Sequence, residues 1–421
     1  MSFTKVKTVL RPRSIPTDDL AANRDQVQSA DDSSEAGDSL PRQNFHDHKQ
    51  QQLLVLETKQ PLHLKDDGPI PASNTDNEVL VRIDYIGLNP IDWKSATFGW
   101  GLPSLPCILG RDYVGKVVHK HVPEADDGLQ IGDVVLGIST DYRDYRKAAF
   151  QQYAIAANFN LCRIPSRLYQ SHGILPSVGV AFVSAALSLG VCLGLDFSKT
   201  GDSHGPDLFS IVHSLDRDSV PEDIREECFD SIPDSERIQP RDWIAIWGAS
   251  STVGFLALQL AKRAGLRVVC VANVVKHGAL LLDAGADALV NRNDPEAVEA
   301  VRGITQGKRL RYGFDAVGKE TAQLLQTTFE NETSHLVCLV GSPKETVQHV
   351  RYHKLPMKLF HESREVGRAL MLWLEELLSH EKVLILPKTD LHSSTGLQAV
   401  NAALDRLRHG QHSGQRIVVQ I

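Results

Sequence analysis

The residues best suited to chemistry stand between Ile244 and Gly254, where the chain reads Ile-Ala-Ile-Trp-Gly-Ala-Ser-Ser-Thr-Val-Gly. The apolar run is a buried strand. Behind the small residues, Val253, Leu256, Ala257, Leu260, Ala261 and Ala264 recur at helical spacing, so the periodicity switches across the turn as a strand-turn-helix unit requires. First-turn N–H groups and the helix dipole then face an anion, and the pyrophosphate of a dinucleotide is the anion this geometry suits. Ala249, Ser251 and Gly254 hold the three positions of a G-x-G-x-x-G pattern. Small side chains still let the backbone approach a phosphate, and the hydroxyls of Ser250, Ser251 and Thr252 add hydrogen-bonding groups beside Val253. An ordinary tight turn is the alternative, and the flanking sequence decides against it.

The elements that must position this turn follow at regular intervals. Strands are expected at 268–272, 288–291, 312–317 and 336–340, with helical segments such as 278–282 between them. Strands alternating with helices imply an α/β fold, a doubly wound parallel sheet of Rossmann type whose ligand lies beyond the carboxyl ends of the strands. The end of the second strand also reads out the cofactor. An acidic side chain there would accept from the ribose 2′-hydroxyl of NAD, but Asn273 stands nineteen residues after Gly254, followed by Val274, Val275 and Lys276. A neutral amide and an ammonium suit a 2′-phosphate, so NADPH is the expected cofactor. The competing reading makes Lys276 a solvated residue at a helix start.

With 421 residues, 42% of them hydrophobic, the chain can bury a large core and is long enough for two domains. A formal charge of -7 argues against a nucleic-acid-binding face. Six cysteines are scattered without a C-x-x-C pair, which fits a reducing compartment. Residues 174–195 carry no charge over a length that could span a bilayer, yet Pro176, Gly179, Gly190 and Gly194 dilute them, and a buried helix leading into the dinucleotide domain is expected instead. Residues 1–50 are polar and expected to be disordered. Lys5, Lys7, Arg11 and Arg13, without an acid in the first seventeen residues, leave a mitochondrial address as the alternative to a cytoplasmic one. Between Asp196 and Arg241, twelve acidic residues face five basic ones, so this insertion alone accounts for the net charge. A solvated loop with a short helix near residues 222–229 is expected, against a role as partner surface or lid.

Short strands are expected at 53–56, 79–83, 115–119 and 133–138, punctuated by turns at Asp66-Asp67-Gly68, Asp126-Asp127-Gly128 and Gly132-Asp133. Five motifs then occur in order: Gly87-Leu88-Asn89-Pro90-Ile91-Asp92-Trp93-Lys94, Gly110-Arg111-Asp112-Tyr113-Val114-Gly115, Gly132-Asp133-Val134-Val135, the turn at Ala249 to Gly254, and Gly285-Ala286-Asp287. In these the chain resembles the medium-chain dehydrogenase/reductase superfamily over residues 52–421. Within it, the chain is similar to the zinc-independent quinone oxidoreductases and enoyl reductases, notably fungal ToxD-like oxidoreductases and trans-acting enoyl reductases of polyketide pathways. The resemblance implies a β-rich GroES-like catalytic domain at 51–175, completed by 345–421, and a Rossmann domain at 176–344 carrying the acidic insertion at 196–241. It also implies that Ile91, Asp92, Trp93 and Lys94 line the nicotinamide cleft, that Ser184 stands near the carboxamide, that Val340 and Gly341 end the strand beneath the ring, and that Ile417 and Val418 lie at the cofactor end of the cleft. Homodimers formed through a sheet edge are frequent in the superfamily.

Where zinc-dependent relatives place a Cys and a His, this chain has Asn89 and Arg111. An amide is a poor zinc ligand and a guanidinium is none. Without a Lewis acid, alcohol oxidation is disfavoured, while hydride delivery from NADPH to an enone, enoyl ester or quinone stays open. Such a reduction needs a donor at the carbonyl oxygen. Lys94 is the candidate, with a surface lysine as the alternative, and Phe98 and Trp100 occupy the neighbourhood where mitochondrial enoyl reductases carry a Tyr. His335, His349 and His361 have no visible nucleophile or metal partner in the sequence and read as structural or surface residues. The expected function is an NADPH-dependent, zinc-independent reductase of a small molecule, with a polyketide synthase as a candidate partner. A nucleotide-binding partner or redox sensor of little turnover, and a metal-dependent alcohol dehydrogenase, are the alternatives.

Overall fold

The computed structural model describes residues 48–122, 128–199, 204–306, 309–330, 333–381, 383–411 and 413–421. The amino-terminal extension up to residue 47 and the turn at Asp126-Asp127 lie outside them.

The first half is built of short strands: β1 (Lys49–Val55), β2 (His63–Pro69), β3 (Glu78–Gly87), β4 (Cys107–Ile108), β5 (Asp112–Lys120), β6 (Val134–Ile138), β7 (Tyr153–Ala157) and β8 (Leu161–Arg163). A helix, α1 (Pro90–Phe98), follows β3, with Pro90 at its first turn where a missing N–H costs nothing. The expected end of the extension at residue 50 falls inside β1. Gln50 is buried, and its Nε2 donates to Pro69 O at 2.8 Å, so its polar side chain is consumed inside the sheet rather than solvated.

The chain then enters a run of helical turns. The uncharged segment 174–195 is not one helix: it passes through a 3-10 turn (Ser166–Ser177), α2 (Gly179–Leu187) and a π turn (Ser188–Cys192). The acidic insertion contains α3 (Leu208–His213) and α4 (Glu222–Phe229), the latter where the sequence places it. The insertion is not a solvated loop. Leu208, Val212, Val220, Cys228 and Ile238 are buried in the core that also holds α2, because these apolar positions turn inward while most of the insertion's carboxylates stay at the surface.

Beyond it lies the parallel sheet: β9 (Trp243–Trp247), α5 (Thr252–Arg263), β10 (Arg267–Ala272), α6 (Val274–Asp283), β11 (Ala288–Asn291), α7 (Ala297–Thr305), β12 (Leu310–Asp315), α8 (Lys319–Gln326), β13 (Ser334–Cys338) and β14 (Val350–His353). The strand order is β11-β10-β9-β12-β13-β14, every pair parallel, which is the doubly wound arrangement with its switch point beside β9. Ile244, Ala245 and Ile246 have no exposed surface, as a strand covered on both faces requires. The chain closes with α9 (Leu359–Glu362), α10 (Arg364–Ser379), β15 (Thr389–Leu391), α11 (Val400–Arg408) and β16 (Arg416–Gln420).

The second sheet runs β15-β16-β3-β5-β6-β8 with β7 on β3, so the carboxyl-terminal strand completes the amino-terminal domain. A boundary at 344/345 does not coincide with the change of sheet. Val350–His353 pairs with β13 and belongs to the parallel sheet, and α10 packs in the core with α2. The strand is short and carries Arg351 and His353, so its sequence lacks the apolar run that marked its neighbours. Among the described residues no helix is long and apolar enough to cross a membrane.

Candidate active site

The turn after β9 is organised by two glycines. Gly248 adopts φ +83°, a left-handed conformation that a side chain resists, and a Cβ there would lie 2.5 Å from Val317. On Gly254 a Cβ would sit 2.4 Å from the carbonyl oxygen of Gly248, so the helix can pack this close to the strand only without one. Ser251 is the N-cap of α5, its Oγ accepting from Gly254 N at 3.1 Å. That lone pair is therefore spent on the helix, and Ser251 retains its O–H as a donor. The amides of Thr252 and Val253 have no carbonyl partner among the described residues, and Ser250 is half-buried beside buried Ala249. These are the donors an anion would meet at this turn.

At the end of β10, Asn273 caps α6 by accepting from Lys276 N at 3.1 Å. Its Oδ1 is thus a structural acceptor, and its amide nitrogen is the group left to a ligand. Lys276 is exposed. Burial, and then the charges of Lys276, Arg292 and Lys388, hold the His277 imidazole below its usual range. Three cations therefore converge here from α6, the end of β11 and the segment before β15, and no carboxylate pairs with any of them among the described residues.

The β-rich domain contributes a buried polar network. Asp92, without exposed surface, accepts from Asn89 N at 2.7 Å and from Tyr142 Oη at 3.3 Å. Asp112, also unexposed, accepts from Asn89 Nδ2 at 2.9 Å and from Val180 N at the start of α2 at 2.8 Å. Arg416 reaches in from β16, its Nη1 donating to Leu88 O at 2.9 Å and to Asn89 Oδ1 at 2.6 Å. Arg111 lies over the Tyr142 ring at 4.2 Å and donates to Thr140 O. Burial pushes the Asp92 carboxyl up to about 7 and that of Asp112 up to about 6, with the neighbouring hydrogen bonds and guanidinium groups opposing. Both ligand positions of the zinc-dependent pattern are thereby committed: Asn89 has its amide nitrogen on a carboxylate and its oxygen on a guanidinium, and Arg111 stacks on a ring.

On the exposed side of α1, Trp93, Phe98 and Trp100 form a ladder with centroids 5.9 and 5.2 Å apart. Lys94 Nζ stands 5.9 Å from the Trp93 centroid and 5.7 Å from that of Trp100. Burial lowers the Lys94 ammonium, and no carboxylate pairs with it among the described residues. Ile91 is half-buried at the start of the same helix. Ile417 and Val418 are buried in β16 beside it, with Leu88 N donating to Ile417 O at 3.0 Å and Val418 paired with Gly87. Ser184 is buried on α2, its Oγ 4.0 Å from Met357 Sδ, and α2 packs on α5. Val340 is exposed just past β13, and Gly341 lies beside Lys319.

Residues 75–166 match the family described as alcohol dehydrogenase GroES-like domain, and residues 252–370 the one described as zinc-binding dehydrogenase. The chain is 25% identical over 394 residues to a zinc-type alcohol dehydrogenase-like protein of Schizosaccharomyces pombe, covering 87% of this chain and 99% of that one. It is 25% identical to the trans-enoyl reductase caaB of Aspergillus niger, covering 88% and 97%. A mycobacterial protein solved in complex with NADPH superposes with a TM-score of 0.62 at 17% identity, covering 89% and 100%. The chain belongs to the medium-chain dehydrogenase/reductase superfamily. It is an oxidoreductase that binds a nicotinamide cofactor on its Rossmann sheet.

Within this superfamily member the structure brings together positions that sequence spacing keeps apart. Gly248, Asp112, Tyr142, Arg292, Lys388 and Arg416 were not singled out from the sequence as site residues. Gly248 could have been, since a glycine directly after an apolar strand marks the tight turn of such a unit. Arg416 stands over three hundred positions from Asn89, and no local signal connects them.

Proposed function

We propose that the chain is an NADPH-dependent, zinc-independent reductase that delivers hydride to the β-carbon of an enone or enoyl ester, or to a quinone. The observation that carries the proposal is the Asn89, Asp112 and Arg416 network. At the first of the two positions where a zinc site would need a ligand atom, Asn89 is an amide with both ends bonded, its oxygen 2.6 Å from the Arg416 guanidinium, and at the second stands Arg111. A dication brought there would face Arg416 directly. Lys276, Arg292 and Lys388, without a carboxylate partner among the described residues, support the phosphorylated nucleotide, and the NADPH complex of the mycobacterial neighbour is consistent with it.

When bound, the nucleotide supplies the hydride. The residues of this chain do the rest. The amides of Thr252 and Val253 and the Ser251 hydroxyl bind the pyrophosphate. Lys94, held by Trp93 and Trp100, points an ammonium at the substrate oxygen as negative charge develops there, and its lowered affinity for the proton makes it a better donor than a solvated lysine. Solvent protonates the α-carbon. The aromatic ladder supplies apolar surface for a planar conjugated substrate. The name of the Aspergillus relative, a trans-enoyl reductase, supports an enoyl group as the substrate class. Self-association through a sheet edge stays part of this reading.

The test is NADPH oxidation by chelator-treated protein against a panel of enones, quinones and enoyl thioesters, each with NADH as control. Turnover that survives chelation and prefers NADPH is the expected result. Zinc-dependent oxidation of alcohols in place of any double-bond or quinone reduction would return the chain to alcohol dehydrogenase chemistry, and binding of NADPH without turnover on any member would favour a nucleotide-binding sensor.

A further inference from the structure

The core behind the Rossmann sheet holds a cluster that the reductase reading does not use. Cys192 closes the π turn, Glu227 stands on α4 of the acidic insertion, and His353 ends β14. Their ligand atoms all lie within 4.8 Å of one another. Cys192 and His353 have no exposed surface, and the Glu227 side chain is 14% exposed. The outer contacts are also made. His353 Nδ1 is 2.7 Å from Glu227 Oε1, whose second oxygen accepts from Lys354 N at 3.1 Å. On its far side, His353 Nε2 meets His335 Nδ1 at 3.0 Å, and His335 Nε2 meets Glu236 Oε2 at 3.1 Å.

Counting hydrogens along this chain exposes an excess. The contacts Glu227 to His353, His353 to His335 and His335 to Glu236 each need one hydrogen. Two neutral imidazoles bring two, and two ionised carboxylates bring none. One extra proton must therefore be carried in the interior, on a ring or on a carboxylate. A divalent ion bound to His353 Nδ1 removes that need. His353 Nε2–H then donates to His335 Nδ1, and His335 Nε2–H donates to Glu236, so both rings are neutral and every contact is filled. A ligating histidine whose other nitrogen donates into an oriented second group is the usual support of a metal site.

We propose that Cys192, Glu227 and His353 bind a first-row divalent transition metal, with zinc as the fitting ion, and that this ion fastens the acidic insertion to the sheet. Thiolate, imidazole and carboxylate are zinc's own donor types, and tetrahedral bonds of about 2.0 to 2.3 Å place donors roughly 3.5 Å apart. The Nδ1 to Oε1 pair at 2.7 Å opens by somewhat under an ångström to admit it. A water completes the coordination. The charge balances: one dication enters, while the Cys192 thiol proton and the extra proton of the histidine chain leave. The ligands come from the π turn, α4 and β14, so the ion cross-links three elements remote in sequence. His335 thus gains a role beyond the structural one its sequence context suggests, as the residue that orients His353.

The test uses the full-length chain, stripped with chelator, desalted and titrated with cobalt(II) as the spectroscopic probe. Expected are saturable uptake of one ion per chain, visible bands of tetrahedral intensity, and a near-ultraviolet thiolate-to-cobalt charge-transfer band, all abolished by added zinc(II) as it displaces the cobalt. Calorimetry in buffers of different ionisation enthalpy should read release of about two protons per ion. Cys192→Ser removes the charge-transfer band, whereas Cys270→Ser, at a buried cysteine on β10, keeps it. Should Cys192→Ser fail to fold by circular dichroism, Glu227→Gln and His353→Gln provide the second reading, each lowering cobalt affinity at least tenfold. Folded wild-type chain without saturable cobalt uptake overturns the proposal, as does a charge-transfer band that persists in Cys192→Ser. Turnover is not the readout, so either result leaves the reductase proposal untouched.

Discussion

The cofactor preference offers the most direct test of the Rossmann half. Lys276→Ala removes one of three cations, the other two being Arg292 and Lys388, that face the end of β10 without a carboxylate partner among the described residues. A phosphate dianion about 4 Å from one ammonium in the dielectric of water is stabilised by roughly 2 kcal/mol. A charge-assisted hydrogen bond contributes about 1.5 to 3 kcal/mol by mutational measure, and the two figures describe one contact rather than a sum. Loss of roughly 2 kcal/mol corresponds to about thirtyfold weaker NADPH binding. NADH lacks the phosphate, so its dissociation constant should move by less than about twofold, the typical scale of an untouched surface contact. Because Lys276 is exposed, raising the salt concentration should compress the wild-type preference, as screening shortens the Debye length from about 10 Å at 0.1 M to about 3 Å at 1 M. Isothermal titration of wild type and Lys276→Ala with both nucleotides, at low and high salt, reads all of these quantities. Equal losses for NADPH and NADH, or no loss in Lys276→Ala, Arg292→Ala and Lys388→Ala alike, would show that the cation cluster is not the phosphate site.

Two further outcomes follow from the β-rich half. Lys94→Ala should lower kcat on a good enone by roughly a hundredfold, the scale of losing one positioned donor, with NADPH affinity unchanged and Lys94→Arg retaining part of the rate; steady-state kinetics with a titration control decides it. The buried Asp92 carboxyl titrates near 7 in the folded chain, above the ordinary 3.8. The folded state therefore holds its proton more tightly, and the stability this contributes is complete below about pH 4 and lost as pH rises through 7. His361, held down to about 4 by burial, acts with the opposite sign across part of that window, so the quantity to read is the difference between wild type and Asp92→Asn in denaturant unfolding. That difference should change between pH 4 and 7 and be flat above it, and a flat difference throughout would refute the buried-acid assignment.

The parallel sheet was legible because β9, β10 and β11 are largely apolar runs at regular intervals, and a strand buried on both faces can be little else. Ala288–Asn291 and Glu222–Phe229 lie where the sequence puts them. β14 was not legible, since Arg351 and His353 break the run. They are tolerated because His353 finds Glu227 and His335, and Arg351 donates to Asp230 O at 2.7 Å, all supplied by tertiary contact. The insertion was misjudged for a related reason. Net charge reports the outward face of a segment and is silent about Leu208 and Val212 on the inward one. Within the site, Asn89 and Arg111 were visible as departures from a metal pattern, but nothing local in the sequence reveals what replaces the metal.

What replaces it is Arg416, and its origin ties the site to the closure of the fold. The guanidinium is delivered by β16, which pairs with β3 immediately before Asn89. Asp112 and Asp92 have no exposed surface, and within the buried network Arg416 is among the charges that oppose the upward push of burial on their carboxyls, together with Arg111. Taking one partner from such a buried set typically costs about 3 to 5 kcal/mol, because the other charge is left without water or counter-ion. The network thus links three parts of the chain at one point: the α1 cap through Asn89, the start of α2 through Asp112 and Val180, and the carboxyl-terminal strand through Arg416. A metal would hold the same corner by its charge but would bring a Lewis acid with it. The guanidinium holds it without one, and on the proposed function that leaves the cleft to a donor such as Lys94 and to chemistry in which the substrate's own conjugation accepts the hydride.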